Sequence, residues 1–239
     1  MTSWTIHHRP ETDSTNLDAR AGRPGDVFTA DFQTEGRGRL DHRWHSARGA
    51  NLALSAVLPV AGIDPGFVAT LPLAVGLAVV RALRSLAAEF SPVLKWPNDV
   101  LVDGRKLAGV LCERVDDRVI AGIGINVREI EFPDEIAGRS ISLAALGCDS
   151  SVESVRDCVL SALLGTFARW MDGGFAALHD EIVPIDWLRG RVVSVFQTNE
   201  DENPVTGRCG GIGLDGSLDV GGQSVFAGEA HVLVRDRHA

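Results

Sequence analysis

The stretch Lys95-Trp96-Pro97-Asn98-Asp99-Val100-Leu101-Val102-Asp103-Gly104-Arg105-Lys106-Leu107-Ala108-Gly109-Val110-Leu111 decides how this chain is read. Val100 to Val102 and Lys106 to Cys112 are apolar runs on either side of Asp103-Gly104, a dipeptide suited to a tight turn with positive φ. They predict a β-hairpin. A further apolar strand is predicted over Ile120 to Val127, and Gly122 and Gly124 interrupt it. Glycine at 109, 122 and 124 leaves backbone bare, which allows a ligand to lie directly against a strand. Asn126 closes that last run. It is either a core amide satisfied by backbone or a contact to a nucleotide. In the same way, Lys95 to Asp99 reads either as a strand end with Trp96 in the core and a Pro97-Asn98 turn, or as part of a site.

Working outward, Val27 to Phe32 and Asn51 to Pro59 are predicted strands. Between them lies Gln33-Thr34-Glu35-Gly36-Arg37-Gly38-Arg39-Leu40-Asp41-His42-Arg43-Trp44. Arg37, Arg39, Arg43 and the nearby Arg48 make a cationic loop that can wrap phosphate or carboxylate through charge-assisted hydrogen bonds, and it can equally be a solvated basic turn. Phe67 to Phe90 predicts a helix, with Leu73, Leu77, Val80 and Leu83 on one face. A second helix is predicted after a capping box at Ser150 and Glu153, with Val155, Val159, Leu163, Phe167 and Trp170 on its buried face. After about Pro184, five short β-like runs (191–196, 205–209, 217–220, 224–226 and 230–234) suggest a small barrel.

The chain has 239 residues, enough for about 1.6 domains. Hydrophobic residues make up 45% and charged residues 23%, as in an ordinary globular protein. The formal net charge of −9 argues against binding nucleic acid through overall field. No run approaches the roughly 18 consecutive apolar residues of a membrane span, and Met1 to His8 lacks the charged start and apolar run of a signal peptide. Cys112, Cys148, Cys158 and Cys209 are far apart and form no CxxC, which fits a reduced cytoplasm better than a disulfide or zinc framework, and no metal-ligating residues are expected. No GxxxxGK[ST], GxSxG or HExxH occurs. Lys95 and Lys106 are the two lysines among 23 basic residues. Either arginine bias left them by chance, or a compact ammonium is needed there. His7 and His8 read as surface residues.

Ser14-Thr15-Asn16, Gln33 with Gly36-Arg37-Gly38-Arg39 and Trp44, Asn51 to Ser55, Lys95 to Asp99, Lys106 to Leu111 and Gly122 to Asn126 occur in that order. Together they closely resemble the biotin–protein ligases, over residues 13–127 by motif and beyond by architecture. The resemblance implies an α+β fold: a class II synthetase-like central mixed sheet flanked by helices, with a small C-terminal β-barrel. It divides the chain into a ligase domain, 1–185, and a barrel, 186–239. It implies activation of biotin by MgATP to biotinyl-5′-AMP, then transfer to a lysine of a biotin carboxyl carrier domain. Lys106 matches the lysine between carboxylate and α-phosphate, and Arg37 and Arg39 match the loop that closes over the adenylate. Asp99 matches a carboxylate that orients or deprotonates the acceptor lysine. Ser14, Thr15, Gln33, Gly36, Ser55, Gly109, Leu111 and Gly122 match the biotin pocket; Arg43, Trp44, Asn98 and Asn126 match the ATP side.

Leu40-Asp41-His42 departs from the family's usual basic residue, glycine and basic residue, which implies weaker or more pH-dependent nucleotide binding. Lipoate ligases share the fold and stand as the alternative. A biotin-dependent repressor is a further reading, but 13 residues before Ser14 leave no room for its DNA-binding domain, so no DNA binding is expected. A homodimer through a sheet edge is possible.

Overall fold

A computed structural model describes residues 3–40, 42–197 and 203–233. Strand β1 (Thr5–Arg9) precedes helix α1 (Thr15–Ala19), and β2 (Asp26–Ala30) and β3 (Asn51–Pro59) follow it. Two helices come next, α2 (Pro65–Val68) and α3 (Leu71–Leu86). Strands β4 (Val93–Lys95), β5 (Asp99–Val102), β6 (Arg105–Val115) and β7 (Arg118–Asn126) complete a seven-stranded sheet of order β1-β2-β3-β7-β6-β5-β4. Only β1 and β2 run parallel; every other neighbouring pair is antiparallel. Helices α4 (Asp134–Ala137), α5 (Val152–Gly173) and α6 (Ala176–Ile182) lead to β8 (Val192–Phe196), β9 (Val205–Ile212), β10 (Leu218–Val220), β11 (Gln223–Val225) and β12 (Glu229–Val232). These last five form an antiparallel sheet of order β11-β10-β9-β8-β12.

The expected mixed sheet with flanking helices is present. The expected barrel is a five-stranded sheet that does not close among the described residues: β11 and β12 are its outer strands and pair only inward. Its edge strands are short, three and four residues, and closing a sheet requires a staggered register between its outer strands, which is not formed among the described residues.

Local chemistry explains the elements. Asp103 (φ 51°) and Gly104 (φ 73°) make the left-handed turn that the hairpin requires. The α5 cap differs from expectation by one residue: Ser151, rather than Ser150, accepts from the Ser154 backbone N–H at 3.1 Å. The helix predicted over 67–90 is two helices, with Pro72 in the first turn of the longer. The segment Pro65–Leu86 is long and apolar enough to cross a membrane by composition, yet 72% of its apolar window is buried inside the fold. There α3 packs on β4, β5 and β6 and against α5, which itself contacts β3. A smaller cluster of Ala19, Val57 and Ile120 packs α1 on the opposite sheet face. Trp96, 1% exposed, sits in the main core and donates its indole N–H to the Gly216 carbonyl at 3.1 Å, tying the two sheets together. All four cysteines are unbonded. Burial pushes the Cys112 thiol up to about 12, and burial with nearby Asp186 pushes Cys209 up to about 11.

Candidate active site

The site lies on the α1 face of the large sheet and follows from strand register. Asp99, Gly109, Gly124 and Ala53 stand opposite one another on β5, β6, β7 and β3. The next row is Leu111, Gly122 and Ser55. Side chains alternate across a strand, so these residues share a face. The glycines make a floor without side chains, and Trp44 lies on it. A Cβ on Gly124 would meet the Trp44 ring at 2.5 Å, and one on Gly109 would meet it at 3.3 Å.

Strict alternation would turn Lys106 away from Gly109. The register of β5 against β6 shifts between Val100 and Leu101, and this bulge re-aims the side chain. Lys106 Nζ lies 3.2 Å from the position of a Gly109 Cβ, 2.7 Å from Asp99 Oδ1 and 5.8 Å from the Trp44 ring centroid. Leu107 is thereby released into the core.

A cavity of about 330 Å3 opens over this floor. Most of the site residues expected from sequence line it: Ser14, Thr15, Gln33, Arg37, Arg39, Arg43, Trp44, Asn98, Asp99, Lys106, Gly109, Leu111, Gly122 and Asn126, together with Lys95, which sequence reasoning left without a role. Gly36 and Ser55 do not. The Gly36 carbonyl accepts from the Trp44 N–H at 2.9 Å, and any Cβ there would lie 2.5 Å from the Trp44 carbonyl, so this glycine serves loop closure. Ser55 is fully buried behind α1, 2.8 Å from the Thr15 hydroxyl and donating to Asn16 Oδ1 at 2.6 Å.

The arginine loop is a small hairpin, with Arg37 bridged to Arg43 and the Gly38 N–H donating to the His42 carbonyl at 2.7 Å. Arg39 reaches the second sheet and donates to the Gly228 carbonyl at 3.0 Å. Burial lowers its pKa from the ordinary arginine value, while Asp99 and Glu229 oppose that shift. His42 lies 3.4 Å from Glu229. Asp41 falls outside the described residues. Arg48 belongs to a surface cluster instead: it pairs with Glu11 and stacks 4.7 Å over Phe32.

Both asparagines have structural partners. Asn98 donates to the Val110 carbonyl at 2.7 Å, and Asn126 donates to the Ile141 carbonyl at 3.0 Å. The Trp44 indole nitrogen is buried with no hydrogen-bond partner among the described residues. Those residues hold no group of three or more His, Cys, Asp and Glu able to grip a metal ion.

Sequence reasoning passed over three residues. Asn16 stood inside a quoted motif without a role, and it lines the cavity. Glu113, two positions beyond Leu111 on the same face, takes Asn16 Nδ2 at 2.7 Å and Arg37 Nη1 at 3.0 Å. Glu229 brings the second sheet into the cavity wall. Alternation along β6 would have flagged Glu113; nothing local marks Glu229.

Residues 5–128 match the biotin/lipoate A/B protein ligase family model, more than half of the chain. The chain belongs to this family. Over 219 residues it is 39% identical to the bifunctional ligase/repressor BirA of Escherichia coli, covering 87% of this chain and 67% of that one. Over 145 residues it is 39% identical to the biotin--[acetyl-CoA-carboxylase] ligase of Mycobacterium tuberculosis, covering 57% and 54%. The match to Bacillus subtilis BirA covers 38% of that protein, so the chain spans about half or less of several curated relatives. Among solved structures, the biotin protein ligase of Aquifex aeolicus in complex with biotin and ATP superposes with a TM-score of 0.84 at 30% identity, covering 98% of this chain and 99% of that one. This family member therefore shares its whole described architecture with a ligase of known structure.

Proposed function

We propose that this ligase-family chain couples biotin to AMP at the expense of ATP and then passes the biotinyl group to a lysine of a biotin carboxyl carrier domain. The observation that carries the reading is that Lys106, Arg37 and Arg39 line one cavity over a glycine floor, with Thr15, Asn16 and Gln33 in its wall. Biotin carboxylate and the ATP α-phosphate are both anionic, so their union needs fixed positive charge where negative charge accumulates. Lys106 provides it as a point charge; Arg37, Arg39 and Arg43 provide it as forks suited to phosphate and carboxylate.

Thr15, Asn16 and Gln33 offer the donors and acceptors for the polar ring of the acid, while Leu111 and the glycines bound its apolar body. Trp44 gives a flat face and a spare N–H. The arginine hairpin, held to Gly228, covers the reacting atoms and keeps water from the mixed anhydride. The carboxylate of Asp99 lies where an incoming amine can be oriented. Magnesium arrives with the ATP phosphates, since this cation keeps much of its coordination from substrate and water. The ligase part spans residues 1–185 in this reading, and residues 186–239 contribute the far wall. A carrier domain is the macromolecular partner, and the exposed β1 edge is available for a second copy.

The test is pyrophosphate release from biotin, ATP and magnesium, followed by a one-biotin mass gain on a purified carrier domain. Lipoate in place of biotin separates the two substrate classes. No pyrophosphate with either acid ends the proposal. Lys106→Arg keeps the charge but moves it and widens it, and adenylation is expected to fall at least about a hundredfold, by analogy with other lost transition-state contacts. Turnover within twofold of the native chain removes Lys106 from the chemistry. Because the chain has two lysines, amine-reactive labelling followed by mass spectrometry gives a direct second readout. Biotin plus MgATP should protect Lys106, and an unchanged labelling rate contradicts its place beside the substrates.

A further inference from the structure

We infer that Glu113, which does not line the cavity, is a positioning residue that sets the polarity of the acid pocket and holds Arg37 of the loop in register with it. The inference rests on the ligase reading above. A continuous polar chain starts at Gln33, whose Oε1 accepts from the Thr15 backbone N–H at 2.9 Å. The Thr15 and Ser55 hydroxyls are 2.8 Å apart, and Ser55 donates to Asn16 Oδ1 at 2.6 Å. Asn16 Nδ2 donates to Glu113 Oε2 at 2.7 Å. The other carboxylate oxygen accepts from Arg37 Nη1 at 3.0 Å and Arg20 Nη2 at 3.3 Å.

An amide side chain can flip end for end, and its neighbours decide which way it points. A carboxylate only accepts, so Glu113 turns the nitrogen of Asn16 toward itself and the oxygen toward Ser55. The Ser55 proton is then committed to Asn16, and this fixes which atoms Thr15 and Asn16 present to the cavity. Gly122 makes this seat possible, since a Cβ there would lie 2.2 Å from the Asn16 oxygen. The same carboxylate stops Arg37 from swinging freely. Arg20 helps to offset the charge of Glu113, which is mostly buried. One acidic side chain thus fixes a neutral hydrogen-bond pattern at one end of the acid and a guanidinium near the other. A neutral amide at 113 could not do both, because it could offer its nitrogen to Asn16 and permit the flipped arrangement.

The test compares native, Glu113→Gln and Glu113→Asp chains in biotin binding by calorimetry, steady-state adenylation and thermal unfolding. Glu113→Gln is expected to weaken biotin binding about tenfold or more, the usual worth of a hydrogen bond to a charged group. It should raise KM for biotin by the same factor, with KM for ATP within about threefold and a folded chain. Glu113→Asp should recover part of the biotin affinity. Biotin affinity unchanged in Glu113→Gln overturns the inference. So does a parallel loss of biotin affinity, ATP affinity and thermal stability that Asp does not relieve, which is the mark of a merely structural residue. If the native chain neither binds biotin nor releases pyrophosphate, the ligase reading fails first, and the native control shows which of the two has fallen.

Discussion

Between Arg105 and Gly109 a single irregularity in strand pairing decides where a charge goes. Without the bulge, Lys106 would share a face with Ala108, which is fully buried; with it, the ammonium stands beside Asp99 over the glycine floor. Glycine is required at 122 for the complementary reason. Gly122→Ala places a methyl group 2.2 Å from the Asn16 oxygen, and Asn16 must move away from both Ser55 and Glu113. The expected result is at least about tenfold weaker biotin binding, with about 1–3 kcal/mol lost from stability through overpacking. Calorimetry and urea titration read the two effects, and affinity within twofold of native would contradict this geometry. Much of this was legible in the letters. Glycines at 109, 122 and 124 announced bare strands, and the Gly-Arg loop announced cations. The bulge was not legible, because its cause is pairing with β5 rather than anything in residues 105–109. The place of Ser55 behind α1 was not legible, because its partners Thr15 and Asn16 stand 40 and 39 residues away in sequence.

Among the elements, α3, α5 and α6 are joined by a clamp of charge. Arg81 on α3 donates to Glu181 on α6 at 2.6 Å and to Thr166 on α5 at 2.8 Å, and Arg169 on α5 pairs with the same glutamate. Burial by itself would raise the Glu181 carboxyl, but hydrogen bonds from Arg169 and Arg81 outweigh it and leave its pKa below the ordinary range. A carboxylate depressed in the folded state contributes stability above its unfolded pKa and loses it as pH falls through the folded value. Glu181→Gln should therefore unfold at a lower temperature than the native chain at pH 7, and the gap should close progressively as the buffer is taken below pH 4. A gap that stays constant across that range would mean the clamp works by packing alone. The long elements were readable from periodicity, as with β3 over Asn51–Pro59. Strand β1 was not, because all five of its residues are exposed and carry no apolar alternation. The three-residue β4 offers too short a pattern to read.

For the molecule as a whole, Trp96 joins the halves. Its ring fills the main core, and its N–H satisfies a carbonyl on the turn before β10. Trp96→Phe keeps most of the ring and leaves that carbonyl without its donor, so a loss of about 1–3 kcal/mol is expected in urea unfolding. Fluorescence and circular dichroism transitions of the native chain should coincide, because the tie makes the two sheets unfold as one unit; transitions that separate in the native chain would show that the tie does not couple them. The two-sheet plan itself was visible in the change of texture after Pro184, but among the described residues the second sheet is open, with outer strands of only three and four residues. A last consequence concerns biosynthesis. Ser14 and Glu229 line one cavity although almost the entire chain separates them. A polypeptide still leaving the ribosome lacks one wall of that cavity until β12 is made, so under the proposed ligase reading an unfinished copy cannot shelter a hydrolysable acyl nucleotide.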